Sequence, residues 1–277
     1  MARHPILRVL GSVMIVMVAW VAPCNAADGP ASSLLEQLGQ RVEEFWKHVP
    51  KVTCTETVVR ARLSDDGKLI VQERNEFDFT MNLQMEGMDL SVQETRLLRP
   101  AATKPKDRPK QQVREQTDRS FLSTEGFSIL ILIFHPHYRA SFDFEVLPTE
   151  TVGGKQMRRI RFVQKEGAPA PSVLQIHGSD FPILWEGTAW INTSDGAVER
   201  IQARLWKPLL QAGLTSMESD VHYAPIHFGS NQEQHWLPQS AVVEARTRNQ
   251  RWRNEHRFSD YRQFQVESKI ITGAPVE

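Results

Sequence analysis

The stretch of sequence that decides the fold is Gly187-Thr-Ala-Trp-Ile-Asn-Thr-Ser-Asp-Gly-Ala-Val-Glu-Arg-Ile-Gln-Ala-Arg-Leu-Trp206. Its centre, Asp195-Gly196, is the strongest short-range β-hairpin signal in the chain, because glycine readily adopts the positive φ of a tight turn. After the turn, aliphatic residues such as Ile201 and Ala203 alternate with charged and amide side chains. This alternation predicts an antiparallel strand with one buried face and one face in water.

Similar alternation extends outward in both directions. Residues 51–98 and 142–266 carry further alternating segments, separated by turn signals such as Asp65-Asp66-Gly67 and Gly153-Gly154. Together these segments predict about ten strands in antiparallel succession. Strand and helix patterns do not alternate along the chain, which argues against a parallel sheet.

A helix is predicted before these strands, over residues 33–49. Ser33 and Glu36 form a capping-box pattern, and Pro50 ends the helix. Apolar residues recur at helical spacing, with Leu35 and Trp46 widening the stripe that consists of Leu34, Leu38, Val42, Phe45 and Val49. One apolar face on a helix is typical of an element that packs against a sheet.

Residues 127–134, Phe-Ser-Ile-Leu-Ile-Leu-Ile-Phe, form the most apolar stretch after the N-terminal segment. Their β-branched content is compatible with a strand, but we favour a short buried helix that ends near Pro136. Inside a curved sheet, this helix would either plug the concave face permanently or cover a ligand there. The segment has no internal glycine hinge, so we favour the plug.

The N-terminus is typical of an export signal. Arg3, His4 and Arg8 precede an apolar core at 13–22 that is too short to span a bilayer comfortably, and small residues suit cleavage after Ala26. We therefore predict a signal peptide at 1–26, no membrane span in the mature chain, and a periplasmic or secreted protein. An uncleaved anchor and lipidation of Cys24 are the alternatives.

The remaining chain is predicted to form one domain over residues 31–270. The whole chain, including the signal, has 277 residues, a length that suits one medium globular domain. Residues 100–118 form a basic, proline-containing segment that we interpret as a mobile surface loop. The formal net charge is zero and no aromatic residues interleave these basic ones, so neither property favours nucleic-acid binding.

Cysteine content excludes an internal disulfide once the signal is removed. Only Cys54 is then left, within the alternating segment 52–58, where we expect it to be buried on the core face of the first strand. The fold must therefore depend on its hydrophobic core.

Catalytic and cofactor motifs are absent from the sequence. It has no glycine-rich phosphate loop, no Gly-x-Ser-x-Gly, no His-Glu-x-x-His and no Cys-x-x-Cys, and we predict no cofactor. His135-Pro136-His137 carries the one closely paired histidine spacing and leaves a metal-assisted hydrolase as a minor alternative. The prediction is that the protein is not an enzyme.

Two further features suggest binding surfaces. Methionines cluster near residue 85 and adapt well to irregular ligands, although they also fill ordinary cores. With the apolar segment they define a predicted hydrophobic site made of Met81, Leu83, Met85, Phe127, Leu130, Ile131, Phe134 and Trp190. The last predicted hairpin is arginine-rich, which fits either a wet sheet face or a patch for anionic head groups or an acidic partner.

The hairpin that begins at Gly187 resembles the strand-turn-strand motif G-x-x-W-I-D-x-x-T-G-x-V-x-R of the periplasmic lipoprotein-carrier superfamily of LolA, LolB and RseB. Asn192 stands where the motif commonly has aspartate, and Asp195 where it has threonine. Segments 52–60 and 258–264 are similar to segments of exported proteins from soil acidobacteria.

The resemblance covers residues 31–267 and implies a fold. This is an α+β, mainly antiparallel β architecture: a strongly curved half-barrel sheet of about ten strands, with one long N-terminal helix and a short apolar helix on its concave face. LolA-type carriers bind acyl chains on that face. The implied function is binding of a lipid or lipoprotein acyl chain, and the alternative is an envelope protein-interaction or stress-sensing module with a filled core.

Overall fold

The computed structural model describes residues 30–48, 51–86, 89–100, 126, 129–176, 179–228 and 234–263. The predicted signal peptide lies outside the described residues, as does nearly all of the predicted basic loop at 100–118.

Antiparallel strands make up most of the described chain. They are β1 (Lys51–Leu63), β2 (Leu69–Glu86), β3 (Asp89–Leu98), β4 (Phe142–Val152), β5 (Lys155–Gln164), β6 (Val173–Ile176), β7 (Ser179–Pro182), β8 (Trp185–Asn192), β9 (Val198–Leu205), β10 (Leu214–His227), β11 (Gln234–Thr247) and β12 (Arg251–Gln263). Ten of them form one sheet in the order β3-β2-β1-β12-β11-β10-β9-β8-β5-β4, and β6 and β7 pair separately. The sheet is open and curved, and its two edge strands are β3 and β4.

One face of the sheet carries the hydrophobic core. Directly opposed residues in neighbouring strands point to the same face, and one such row crosses the middle of the sheet through Ile160, Ala189, Ile201, Val221 and Ala241. Each of these five residues is buried. This is the concave face, and the alternating residues between them point to the convex face.

The quoted hairpin forms as predicted. β8 and β9 pair around the turn at Asp195-Gly196, where Gly196 has a φ of 67°. Gly187 in β8 is required for a different reason: a Cβ there would lie 2.7 Å from Cζ of Phe162 in β5 and would meet the backbone of β9. The Phe162 ring therefore covers the space that this glycine leaves open.

Two helical elements cover the concave face. α1 (Pro30–His48) begins three residues before the predicted start at Ser33, so Ser33 lies inside the helix rather than at its cap. Pro30 suits the first turn, where the backbone N–H groups lack helical partners. The second element is a 3-10 helix, Leu130–Phe134, which is followed by a single helical turn, α2 (Pro136–Arg139).

The apolar 3-10 helix packs into the core. Leu130, Leu132, Ile133 and Phe134 are each no more than 1% exposed, and only Ile131 is half-buried. The short buried helix predicted for this segment is confirmed by residues 130–134, whereas Phe127 lies outside the described residues. The α+β fold with a long N-terminal helix and a short apolar helix on an antiparallel, curved sheet is likewise confirmed.

One strand runs further than the sequence suggested. Residues 208–219 interrupt the alternation in the sequence, which predicts a break there and a further interruption at Pro225, but β10 extends without a break from Leu214 to His227. Pro225 is tolerated because, in the part of the chain that the structure describes, β10 pairs with β9 only at residues 218–222. At Pro225 the strand has β11 on one side, opposite Trp236, so the missing N–H leaves no second ladder incomplete.

Candidate functional site

A cavity of about 330 Å³ lies between α1 and the concave face of the sheet. Helix α1 supplies one wall, and β2, the β8–β9 turn with the start of β9, β10, β11 and the apolar 3-10 helix supply the other. The apolar wall consists of Leu38, Val42, Phe45, Trp46, Met81, Ile131, Val198, Tyr223 and Leu237. Polar residues at its edge are Arg41, Glu44, Asp195, Gln234 and His235.

Helical spacing places the α1 wall. Leu38, Val42 and Trp46 are four residues apart, so they lie above one another on the same side of the helix. Each is at most 6% exposed. The apolar stripe predicted from the sequence thus both anchors α1 to the sheet and lines the cavity.

Two polar groups in this wall lack hydrogen-bond partners of normal geometry. Trp46 is 3% exposed, and its Nε1 is buried without a partner among the described residues. The Tyr223 hydroxyl is also buried and faces the backbone of Ile131 without a complete hydrogen bond. Burial raises the pKa of Tyr223, so the hydroxyl keeps its proton and is a donor at neutral pH.

Unpaired buried donors are costly and therefore informative. Leaving one without an acceptor costs about 1–3 kcal/mol. The indole N–H is a donor only, so whatever satisfies Trp46 must present an acceptor. A ligand or a buried water could supply one.

An aromatic cluster lies beside the cavity. The Phe45 ring is 4.8 Å from Trp46 and 5.2 Å from the His235 ring, which is 5.5 Å from Phe228. These contacts join α1 to the start of β11 and the end of β10. Arg41 extends from the same helix and donates to the backbone carbonyl of Asp195 in the β8–β9 turn.

The predicted site residues divide into four groups. Met81 and Ile131 line the cavity, while Leu83, Leu130 and Phe134 pack in the core behind it. Phe127 and the side chain of Met85 lie outside the described residues. Trp190 is on the opposite, convex face.

Strand alternation explains the position of Trp190. Its neighbours Ala189 and Ile191 occupy the concave face, so Trp190 points away from the cavity. There its ring lies 4.9 Å below the Arg200 guanidinium and its Nε1 donates to Glu150 at 2.5 Å. Trp190 therefore forms no part of this site, and Trp46, Tyr223 and His235 are the wall and edge residues that sequence analysis did not place there.

A buried ion cluster occupies another part of the concave face. Glu56 in β1 is fully buried, and Arg96 in β3 donates to it through Nε at 2.6 Å and Nη2 at 3.0 Å. His256 in β12 places Nδ1 2.8 Å from Glu56 Oε1. Burial opposes ionisation of Glu56, but the hydrogen bonds from His256 and Arg96 outweigh it, and the pKa of Glu56 is lowered.

Cys54 is buried on the concave face of β1, as predicted, with 1% of its surface exposed. Burial, reinforced by the charge of Glu56, raises the pKa of Cys54 to about 12. The thiolate is the reactive species, so the native thiol is doubly protected.

We therefore expect thiol reagents at pH 8 to label Cys54 about a hundredfold more slowly in native than in denatured protein. The measurement is the rate of labelling by a maleimide, followed by mass spectrometry in a Cys24→Ser background so that one thiol is counted. Equal rates in the two states would show that Cys54 is accessible.

One of the paired histidines, His135, has a structural role. His135 caps α2, with its Nδ1 accepting from the backbone N–H of His137 at 3.1 Å. Burial lowers the pKa of His135. Within the described ranges, no group of three or more His, Cys, Asp or Glu side chains has metal-binding geometry.

Ion pairs cover the convex face. Arg200 binds Asp220 through two hydrogen bonds of 2.8 and 2.6 Å, and Glu244 accepts from Arg251 and Arg253. Burial opposes ionisation of Glu244, but these arginines outweigh it and lower its pKa. Part of the arginine-rich last hairpin is thus neutralised within the sheet.

No helix in the described part of the chain is both long and apolar enough to cross a membrane.

Comparisons with known proteins give structural matches only. A scan against protein-family models gives no match, and a search of curated proteins also gives none. Among solved structures, the chain is similar to a DUF1329 family protein from Desulfovibrio piger, with 12% identity, a TM-score of 0.47, and coverage of 86% of this chain and 95% of the other.

Two other solved structures are similar to the chain. A LolA superfamily protein from Nitrosomonas europaea matches with 10% identity and a TM-score of 0.37, over 86% of this chain and 97% of the other. A domain assigned to outer membrane lipoprotein sorting, from Vibrio parahaemolyticus, matches with 9% identity and a TM-score of 0.40, over 84% of this chain and 95% of the other.

Proposed function

We propose that the chain is a non-enzymatic, exported protein that binds a hydrophobic or lipid ligand on the concave face of its sheet. The observation that carries the proposal is the cavity between α1 and the sheet, an apolar space whose wall contains the Trp46 N–H, a donor without an acceptor among the described residues. Concave, mainly apolar pockets with a few convergent polar groups are the usual form of small-molecule sites.

The cavity also indicates the kind of ligand. At about 330 Å³ it is near the small end of the range for ligand pockets. A single acyl chain fits this size better than a lipid with several chains. The Trp46 and Tyr223 donors favour a ligand with a hydrogen-bond acceptor, such as a carboxylate, ester or amide carbonyl.

Met81 and Ile131 are proposed to contact the ligand directly, and Leu83, Leu130 and Phe134 to support that wall. Met85 and Phe127 stay predictions. We further propose cleavage after Ala26, a single domain over residues 31–270, and a periplasmic or secreted location, where the ligand could be a free lipid or the acyl chain of a lipoprotein.

Binding itself is tested first. Protein purified from the envelope fraction is expected to carry a co-purified lipid in native mass spectrometry and to take up a fluorescent fatty acid. Failure of both would contradict the proposal and favour the rival function, an envelope protein-interaction module whose concave face is filled.

The acceptor requirement gives a second prediction, for Trp46→Phe. This change removes the N–H and keeps an aromatic ring, so affinity for dodecanoic acid should fall about fivefold to tenfold. Affinity for diphenylhexatriene, a hydrocarbon without acceptors, should change little. Both affinities are measured by fluorescence titration or displacement.

Trp185→Phe is the matched control. Trp185 is 1% exposed and its Nε1 is also buried without a partner among the described residues, but it lies outside the cavity wall. Its replacement should leave both affinities unchanged. If Trp46→Phe lowers the affinity for both ligands equally, or for neither of them, the Trp46 N–H does not recognise an acceptor.

A further inference from the structure

Two hairpins end side by side at one end of the sheet. β1 pairs with both β2 and β12, and Leu63, near the end of β1, lies opposite Leu69 and Arg251. Arg251 in turn lies opposite Arg246 in β11. Residues 62–74 and 244–251 therefore form one surface, which we call the paired hairpin tips.

An aliphatic run is exposed on this surface. Leu69, Ile70 and Val71 are 57%, 54% and 37% exposed. Leu63 pairs with Leu69 and Arg62 with Val71, so Ile70 is an extra residue that bulges from the edge of the sheet. β3 pairs with β2 only from Phe77 onward, so in the described chain this part of β2 has no strand beyond it.

Charged side chains border the aliphatic run. Most of the acidic side chains at the paired hairpin tips form ion pairs: Asp66 with Lys68 at 2.7 Å, Glu73 with Arg60 at 3.0 Å, and Glu244 with Arg251 at 2.7 Å.

Among the charged side chains at the tips that form none of these ion pairs, cations outnumber anions. Arg74, Arg246 and Arg248 are exposed and, within the described residues, form no ion pair, and the acidic residue left over is Asp65. Leu69, Leu63, Arg251 and Arg246 form one cross-strand row, which places the aliphatic run and the arginines on a continuous surface.

We propose that the paired hairpin tips dock the protein onto an anionic membrane surface. Exposed aliphatic residues would enter the boundary between head groups and acyl chains, and the adjacent arginines would bind anionic head groups. A protein partner fits less well, because leucine and valine are under-represented among the side chains that dominate protein interfaces. This docking does not depend on the cavity or its ligand.

Vesicle co-sedimentation tests the proposal. Wild-type protein should bind vesicles of 70% phosphatidylcholine and 30% phosphatidylglycerol about tenfold more tightly than phosphatidylcholine vesicles, and should lose that difference at high salt. Leu69→Ser/Ile70→Ser and Arg246→Ser/Arg248→Ser should each weaken binding to the anionic vesicles about tenfold or more. All proteins share the same N-terminus, so the differences report on the tips.

Matched controls come from the other parts of the sheet. Leu97→Ser/Leu98→Ser alters two leucines that are 65% and 63% exposed at the end of β3, and Arg158→Ser/Arg161→Ser removes two arginines from β5. Both should bind like the wild type, and circular dichroism should show that every variant is folded. Equal loss in the controls, or no preference of the wild type for anionic vesicles, would overturn the proposal. A different outcome would identify the tips as a protein interface instead: the wild type does not bind vesicles but self-associates, and Leu69→Ser/Ile70→Ser abolishes the self-association.

Discussion

Replacing Glu56 with alanine is expected to lower the free energy of unfolding by about 3–5 kcal/mol. The carboxylate is fully buried and is held by Arg96 of β3 and His256 of β12. Removing it leaves the Arg96 guanidinium, which is 11% exposed, without its main counter-charge. The measurement is urea unfolding at pH 7.

Glu56→Gln tests the role of charge, because glutamine keeps the shape of the side chain. The pKa of Glu56 is lowered in the folded state, so its contribution to stability is fully present above its unfolded pKa, near 4.5. That contribution is lost as the pH falls through the folded pKa. The difference in stability between wild type and Glu56→Gln should therefore be largest at neutral pH and shrink below about pH 4.

Glu145→Gln is the surface control. Glu145 pairs with Arg161 at 3.5 Å, and the two side chains are 61% and 53% exposed. Such pairs contribute roughly 0–1 kcal/mol, so this variant should unfold nearly like the wild type. A Glu56→Ala protein as stable as Glu145→Gln would show that the buried cluster does not hold β3 to the rest of the sheet.

Local patterns predicted the strands but not this cluster. The alternation of Val52, Cys54 and Val58 indicates the core face of β1, and Glu56 lies in phase with these residues. Its partners come from positions 40 and 200 residues further along the chain. Neither pairing is encoded in short-range spacing, because it depends on β1 lying between β2 and β12.

The site shows the same division between local and long-range information. Helical spacing identified the stripe that includes Trp46, and composition identified Met81 and Ile131. Neither signal could show that Tyr223 and His235 would lie beside these residues, because their positions depend on the register of β10 with β11. The sequence analysis also predicts Trp190 in the site, whereas the buried alternation in β8 assigns Ala189 and Ile191, not Trp190, to the concave face.

Burial separates two roles within the apolar 3-10 helix. Ile133 is 0% exposed and packs in the core, whereas Ile131 is half-buried and lines the cavity. A permanent plug and a ligand contact can therefore coexist in one short element. We therefore propose that residues 130 and 132–134 form the plug that the sequence favours, and that residue 131 contacts the ligand.

Ile133→Asp is expected to prevent stable folding, because it places an unpaired charge in the core at a cost of about 4 kcal/mol or more. Ile131→Asp should fold with a nearly unchanged melting temperature, since its carboxylate can be hydrated from the cavity, but should bind a fluorescent fatty acid at least about tenfold more weakly. Thermal unfolding and fatty-acid titration of both proteins measure these effects, with Ile131→Val and Ile133→Val as volume controls. A folded Ile133→Asp protein that has lost binding would mean that the helix is a movable cover. An Ile131→Asp protein with unchanged binding would mean that the fatty acid binds elsewhere.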